Sequence, residues 1–173
     1  MRGESPITVD LDGLVLSSGE AVRLDLELDP RPPVVGGEAL QLPGESVPAR
    51  IDVSRTTSGY ALRLRAEVVI EGTCARCLEP ARHVATIDVR EVDQRSEDDS
   101  ELCSPYVEDN MLDVSSWMHD ALRLALPERL LCRGDCAGLC EVCGISLNDV
   151  EPGAHRHERP PDPRFAKLSE LIE

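Results

Sequence analysis

Hydrophobic and polar residues alternate strictly in two stretches of the chain. Residues 21–28 read Ala-Val-Arg-Leu-Asp-Leu-Glu-Leu, and residues 60–70 alternate in the same way. A period of two places every second side chain on one face, which is typical of a half-buried β-strand. Apolar stretches at 7–11, 47–53 and 83–92 predict three more strands, and the turn residues between 53 and 60 predict a hairpin there.

The apolar period lengthens to that of a helix after residue 113. Asp113 is a good N-terminal cap, and Pro127 cannot continue a helix. We therefore predict one main helix over residues 113–126. A second, shorter helix is predicted to begin at Asp162 and Pro163, which suit an N-terminal cap and a first helical turn. The apolar faces of the two helices are formed by Val114, Trp117, Met118, Ala121, Leu122 and Ala125, and by Phe165, Leu168, Leu171 and Ile172.

The segments between these elements have a loop-like composition. Residues 29–47 are rich in proline and glycine, and residues 91–113 contain nine acidic residues and one basic residue. We predict a loop for the first segment and a solvated loop or sheet edge for the second. The fold class that follows is α+β, with a mainly antiparallel sheet or a partly closed barrel, one main helix and a cysteine-rich C-terminal lobe.

Six of the seven cysteines fall in two groups. Cys74 and Cys77 lie between two predicted strands, and Cys132, Cys136, Cys140 and Cys143 follow the main helix. No run of about 18 apolar residues exists, and the first residues lack the apolar core of a secretion signal. We therefore expect a cytoplasmic protein with reduced thiols, in which this pattern indicates zinc rather than disulfides. The spacing does not match that of ferredoxin iron–sulfur clusters.

The pairing of the ligands is open at this point. Our preferred scheme has two zinc ions, one held by Cys74, Cys77, Cys132 and Cys136, and one held by Cys140, Cys143, His155 and His157. The first alternative is a single site formed by Cys132, Cys136, Cys140 and Cys143. The second joins Cys74 and Cys77 to Cys140 and Cys143. Loop entropy does not decide among them, since each doubling of a loop costs only about 0.6 kcal/mol.

The charge balance narrows the class of partner. The formal net charge is −15, which repels phosphate backbones and favours a basic protein partner. Direct RNA contact would have to rest on a local group of arginines, for which the candidates are Arg63, Arg65, Arg76 and Arg82. We see no catalytic motif and no phosphate-binding loop, so we expect neither an enzyme nor a small-molecule substrate. We expect no membrane association.

Four motifs together resemble the YceD family, which is named for large ribosomal RNA subunit accumulation. They are Cys74-Ala-Arg-Cys77-Leu-Glu-Pro80, Leu124-Ala-Leu-Pro127, Leu131-Cys-Arg-Gly-Asp-Cys-Ala-Gly-Leu-Cys-Glu-Val-Cys-Gly144 and Asp162-Pro-Arg-Phe-Ala-Lys-Leu168. The resemblance implies a cytoplasmic accessory factor in biogenesis of the large ribosomal subunit, with no established catalytic activity. The expected partner is a basic large-subunit ribosomal protein or a pre-ribosomal particle, or else ribosomal RNA itself. We expect a strand-rich domain over 1–126, and a metal-binding lobe over 127–173 on which the C-terminal helix packs.

Overall fold

The computed structural model describes residues 6–44, 46–94 and 102–157, in which the chain forms three antiparallel sheets and one α-helix. The strands are β1 (Thr8–Asp10), β2 (Ala21–Leu28), β3 (Val34–Val35), β4 (Glu38–Ala39), β5 (Val47–Arg55), β6 (Gly59–Thr73), β7 (Pro80–Gln94), β8 (Val107–Glu108) and β9 (Met111–Asp113). The helix is α1 (Val114–Ala125). No helix in these ranges is both long and apolar enough to cross a membrane.

The largest sheet has the strand order β2-β5-β6-β7. Its strands are the four long strands predicted from the sequence, which are confirmed. Strands β6 and β7 extend further at both ends than predicted. Strands β6 and β7 pair over 15 residues, from Gly59 opposite Gln94 to Thr73 opposite Pro80. The edge strands β2 and β7 do not pair with each other within the described ranges, so the sheet is open. The barrel alternative was therefore wrong.

The two faces of this sheet differ in polarity. Leu62, Leu64, Val68 and Ile70 alternate with mostly charged residues along β6 and are buried on the inner face. Helix α1 packs against β7 and β1, and it buries Trp117. The alternation in the sequence thus separates an apolar face, which faces the helix, from a charged face in solvent.

The helix begins and ends where the sequence predicted. The Asp113 side chain accepts a hydrogen bond from the Ser116 N–H at 2.9 Å, which satisfies one of the unpaired amides of the first turn. Leu126 is extended, and Pro127 follows it. The prediction of one main helix is confirmed. The predicted C-terminal helix around 165–172 lies outside the described residues.

Two segments predicted as loops contain short hairpins. Strands β3 and β4 turn at Gly36 and Gly37, which both have positive φ. Strands β8 and β9 turn at Asp109 and Asn110, again with positive φ, and β9 pairs with β1. Glycine, aspartate and asparagine are the residues that such tight turns favour, so these pairs were a usable hairpin signal that we missed.

Candidate metal centres

The connection between β6 and β7 carries the first pair of cysteines. Residues 74–79 form a tight turn that we call the first knuckle, in which the Leu78 N–H donates to the Cys74 carbonyl at 3.0 Å. The Cys74 N–H donates to the Glu79 carbonyl at 2.8 Å. Leu78 has a φ of +64°, the left-handed conformation that lets the chain turn beneath the two sulfurs.

Residues 140–145 form a second knuckle with the same hydrogen bonds. The Gly144 N–H donates to the Cys140 carbonyl, and the Cys140 N–H donates to the Ile145 carbonyl, both at 2.8 Å. Gly144 has a φ of +74° and thus takes the place that Leu78 has in the first knuckle. Two cysteines separated by two residues thus give the same backbone fold twice in this chain.

The first cysteine of each knuckle has a lowered pKa, which favours its thiolate form. Burial raises the pKa of Cys74, but backbone N–H groups of Cys77, Arg76 and Cys132 outweigh it and lower that pKa to about 6. The N–H groups of Cys143 and Val142 lower the pKa of Cys140 to about 6 as well. Since the thiolate is the form that binds metal, this chemistry favours a cation at both positions.

The first knuckle meets the segment behind α1. The Ala75 N–H donates to the Leu130 carbonyl at 2.8 Å, which brings Cys132 and Cys136 over the knuckle. The sulfurs of Cys77 and Cys132 are 3.5 Å apart, and those of Cys74 and Cys136 are 3.8 Å apart. A disulfide needs about 2.05 Å, so these are pairs of thiols. We call this group of four cysteines the first centre.

The sulfurs of the first centre alter one another's pKa. The hydrogen bond with Cys77, together with burial, raises the pKa of Cys132 to about 12. Cys132 therefore keeps its proton at neutral pH and bridges to a neighbouring sulfur. A divalent cation would replace such protons and neutralise the thiolates, so metal binding at this group releases protons.

The second knuckle meets a histidine pair further along the chain. The Cys143 sulfur is 3.2 Å from His155 Nε2 and 3.3 Å from His157 Nε2. The two Nε2 atoms are 2.8 Å apart. Together with Cys140, these residues form a second group whose ligand atoms all lie within 4.8 Å of one another. We call it the second centre.

Both groups fit a tetrahedral zinc ion. With Zn–S bonds of about 2.3 Å, the edge of a tetrahedron of sulfurs is about 3.8 Å, close to the separations of 3.5 and 3.8 Å in the first centre. In the second centre, a sulfur–nitrogen edge would be about 3.5 Å, compared with 3.2 and 3.3 Å, and a nitrogen–nitrogen edge would be about 3.3 Å, compared with 2.8 Å, so an ion there would move the two histidine rings apart. The donor sets, four cysteines and two cysteines with two histidines, are those of structural zinc sites.

The centres differ in exposure. In the first, Cys74 and Cys136 are 0% exposed and belong to the hydrophobic core. In the second, Cys143 and His157 are exposed and the other two ligands are half-buried. A buried, all-sulfur site exchanges its ion with solvent less readily than an exposed site.

The grouping coincides with the preferred scheme from sequence, while the ion itself stays a prediction. Among the described residues, no compact group of metal ligands joins Cys132 and Cys136, or Cys74 and Cys77, to the second knuckle. Cys103 lies apart from both centres, exposed, with its sulfur 3.8 Å from the Gln94 carbonyl.

Asn148 was missed by sequence reasoning. Its Nδ2 donates to the Cys136 sulfur at 3.6 Å, from a single 3₁₀ turn formed by Leu147–Asp149. A lone asparagine twelve residues from a cysteine carries no sequence signal of such a contact.

The four arginines proposed for RNA contact each interact with a carbonyl or a carboxylate of the protein. Arg76 donates to the Cys136 carbonyl at 2.7 Å, so it links the two halves of the first centre. The remaining three lie on the charged face of the main sheet, where Arg63 forms two hydrogen bonds with Asp88 (2.7 and 2.6 Å), Arg65 pairs with Asp52, and Arg82 is 3.8 Å from Glu71.

These ion pairs lower the pKa values of two of the carboxylates. The hydrogen bond from Arg63 lowers the pKa of Asp88, and the hydrogen bond from Arg23 lowers the pKa of Asp52. Both carboxylates are therefore ionised at neutral pH and offset the charge of the neighbouring arginines. A phosphate would have to compete with them, so this face favours RNA less than the sequence suggested.

Comparisons with known proteins match this chain over most of its length. A family model described as large ribosomal RNA subunit accumulation protein YceD matches residues 62–172, a range that contains both centres. A protein of Mycobacterium tuberculosis, described as uncharacterized, is 33% identical over 177 residues, covering 97% of this chain and 82% of that protein. A Mycobacterium leprae protein, also described as uncharacterized, is 45% identical over 67 residues, covering 39% of this chain and 30% of that protein. No solved structure matches the chain.

Proposed function

Because the chain belongs to the YceD family, we propose that it is a non-catalytic, zinc-binding accessory factor in biogenesis of the large ribosomal subunit. It acts in the cytoplasm, in the accumulation or processing of 23S ribosomal RNA. It does so by binding a basic ribosomal protein. The family's description supports the process, and the two groups of metal ligands are the single observation that carries the zinc-binding role.

Zinc has a structural role in this proposal. Each centre supplies four protein ligands, which fill a tetrahedron and leave no position for a substrate or an activated water. The first centre would fasten the β6–β7 connection to the chain that follows α1. The second would close the loop between Cys143 and His155. The division into a strand-rich part, 1–126, and a metal-binding lobe, 127–173, belongs to the same proposal.

A small sheet whose own strands carry acidic but no basic residues supports a cationic protein partner. The sheet of β1, β9 and β8 carries exposed Asp10, Glu108 and Asp109, with Asp113 at its end. Residues 6–22 and 102–122, which supply these strands and most of α1, contain no lysine or arginine. By contrast, Asp52 and Asp88 on the outer face of the main sheet pair with arginines. We call the small sheet the acidic sheet.

Binding measurements with purified components test the proposal. The full-length protein with zinc is titrated with individual basic large-subunit ribosomal proteins and with transcribed precursor of large-subunit ribosomal RNA, at several salt concentrations. We expect binding to at least one ribosomal protein, weakening as salt rises, and little RNA binding. An unrelated basic protein of similar charge controls for charge alone. Steep, salt-dependent RNA binding with no affinity for the ribosomal proteins would favour the alternative of a direct RNA-binding factor.

The acidic sheet is tested by a matched pair of variants. Glu108→Gln with Asp109→Asn removes two negative charges there, and asparagine tolerates the left-handed backbone of residue 109 (φ +48°). Glu27→Gln with Glu67→Gln removes two charges from the outer face of the main sheet. We expect the first double variant to weaken binding of the ribosomal protein more than the second. Equal losses would show that only net charge matters.

A further inference from the structure

The Asn148 side chain connects the two centres. It lies on the chain between ligands of the second centre, five residues after Cys143 and seven before His155, yet its amide contacts a sulfur of the first centre. Cys136 is 0% exposed and Asn148 is half-buried, so this hydrogen bond is partly shielded from water, where losing it is costly. A donor to a metal-binding sulfur tunes the affinity of the site for its ion.

The orientation of this amide is defined by its other contact. Asn148 Oδ1 accepts a hydrogen bond from the Ala137 N–H at 2.8 Å. Since an N–H can only donate, the oxygen must face Ala137 and the nitrogen must face the Cys136 sulfur. The backbone is held as well, because Arg133 donates to the Asn148 carbonyl at 3.2 Å.

The second centre holds both ends of the segment that carries Asn148. Residues 144–154 run from the second knuckle to the first histidine ligand, so an ion bound there closes an 11-residue loop. Closing the loop removes conformations in which Asn148 is away from Cys136. Backbone contacts, such as the hydrogen bond from the Leu147 N–H to the Gly138 carbonyl at 2.8 Å, hold the loop in the same place.

We propose that the two metal centres are thermodynamically coupled and that Asn148 is the positioning residue through which the exposed centre strengthens metal binding at the buried one. The inference rests on the zinc-binding role proposed above. By linkage, the coupling is reciprocal, so an ion in the buried centre also strengthens binding at the exposed centre. Loss of metal from the exposed centre, to a chelator for example, would then loosen the anchor between the β6–β7 connection and the chain behind α1.

Asn148→Asp is the sharpest variant for a test. Aspartate keeps the size of the side chain and an oxygen acceptor for the Ala137 N–H, but it places an oxygen without a proton against the Cys136 sulfur. We expect metal affinity at the first centre to fall roughly 10- to 100-fold, as for other groups that support a metal ligand. Asn110→Gly is the control, because it removes the chain's other asparagine, at a position of positive φ away from both centres.

A double-variant cycle isolates the coupling. Chelator competition on the full-length protein measures cobalt and zinc affinity in the native chain, His157→Ala, Asn148→Asp and the double variant. Cobalt bound by four sulfurs and cobalt bound by two sulfurs and two nitrogens absorb differently, so each centre is followed separately. In the native chain, we expect His157→Ala to lower the metal affinity of the first centre about fivefold or more. In the Asn148→Asp background, we expect His157→Ala to leave that affinity unchanged. We also expect Asn148→Asp to shift the sulfur-to-cobalt charge-transfer band of the first centre.

The outcomes separate this inference from the proposed function. Two bound ions, with unchanged affinity and spectrum of the first centre in Asn148→Asp, would overturn the coupling and leave the zinc-binding role intact. Equal weakening of the first centre by His157→Ala in both backgrounds would overturn the role of Asn148, since backbone contacts would then carry the coupling. A single bound ion in the native protein would overturn the coupling and leave a zinc-binding role, whereas no bound ion would overturn both.

Discussion

Substituting Cys136 by serine removes one of the two fully buried ligands of the first centre. Cys136 is 0% exposed, its sulfur is 3.8 Å from that of Cys74, and its carbonyl accepts the hydrogen bond from Arg76. Serine is a little smaller, so the change leaves the packing nearly intact while it removes the thiolate. We therefore expect the loss of one zinc ion and of the crosslink that this ion forms.

The size of the effect follows from the loop that the ion closes. Cys77 and Cys132 are 55 residues apart in the chain, and a crosslink over such a loop is worth about 4 kcal/mol of unfolding free energy in the chain-entropy model. Mass action gives a similar figure, about 4.1 kcal/mol, for an ion present at 1,000 times its Kd. For a chain of 173 residues, that corresponds to a fall in Tm of about 8–16 °C.

Metal content and melting temperature together check this prediction. Native mass spectrometry counts the ions per chain, and a thermal melt at 1,000 times the Kd for zinc gives the Tm of the native chain and of Cys136→Ser. Cys103→Ser is the matched control, because that thiol is outside both centres, and we expect two ions and an unchanged Tm. A Cys136→Ser protein that still holds two ions, or that has the same Tm as the native chain, would refute the reasoning.

Three further predictions concern single residues. Gly144→Ala puts a side chain at φ +74°, where the added Cβ has no neighbour within 4 Å, so only backbone strain of about 1–2 kcal/mol opposes it. In chelator competition, this strain should lower the zinc affinity of the second centre roughly 5- to 30-fold and leave that of the first centre unchanged. Gly59→Ala places a Cβ 1.8 Å from the Asp93 carbonyl oxygen, and urea unfolding should show a loss of about 3 kcal/mol or more. Trp117→Ala empties a site that is 1% exposed, so the same assay should show a loss of about 3–5 kcal/mol. Unchanged zinc affinity in the first case, or unchanged urea midpoints in the other two, would contradict them.

Local structure could be predicted from the sequence because it depends on neighbouring residues. Alternation along 21–28 and 60–70 predicted strands, since a pleated strand exposes every second side chain. Asp113 and Pro127 predicted the limits of the helix, because capping and the missing proline N–H act within one turn. The missed hairpins at Gly36–Gly37 and Asp109–Asn110 were local as well, and their turn residues were in the sequence.

The association of distant segments was decided only by the tertiary structure. The cysteine spacing indicated metal binding by itself, but three pairings of the ligands had loop-closure costs too similar to separate. Side-chain contacts such as Arg63 with Asp88 and Asn148 with Cys136 depend on strand register and on how the loop after Cys143 folds back. A pattern along the chain records which residues share a face, whereas long-range contacts depend on how the faces meet, and that depends on the packing of the whole chain.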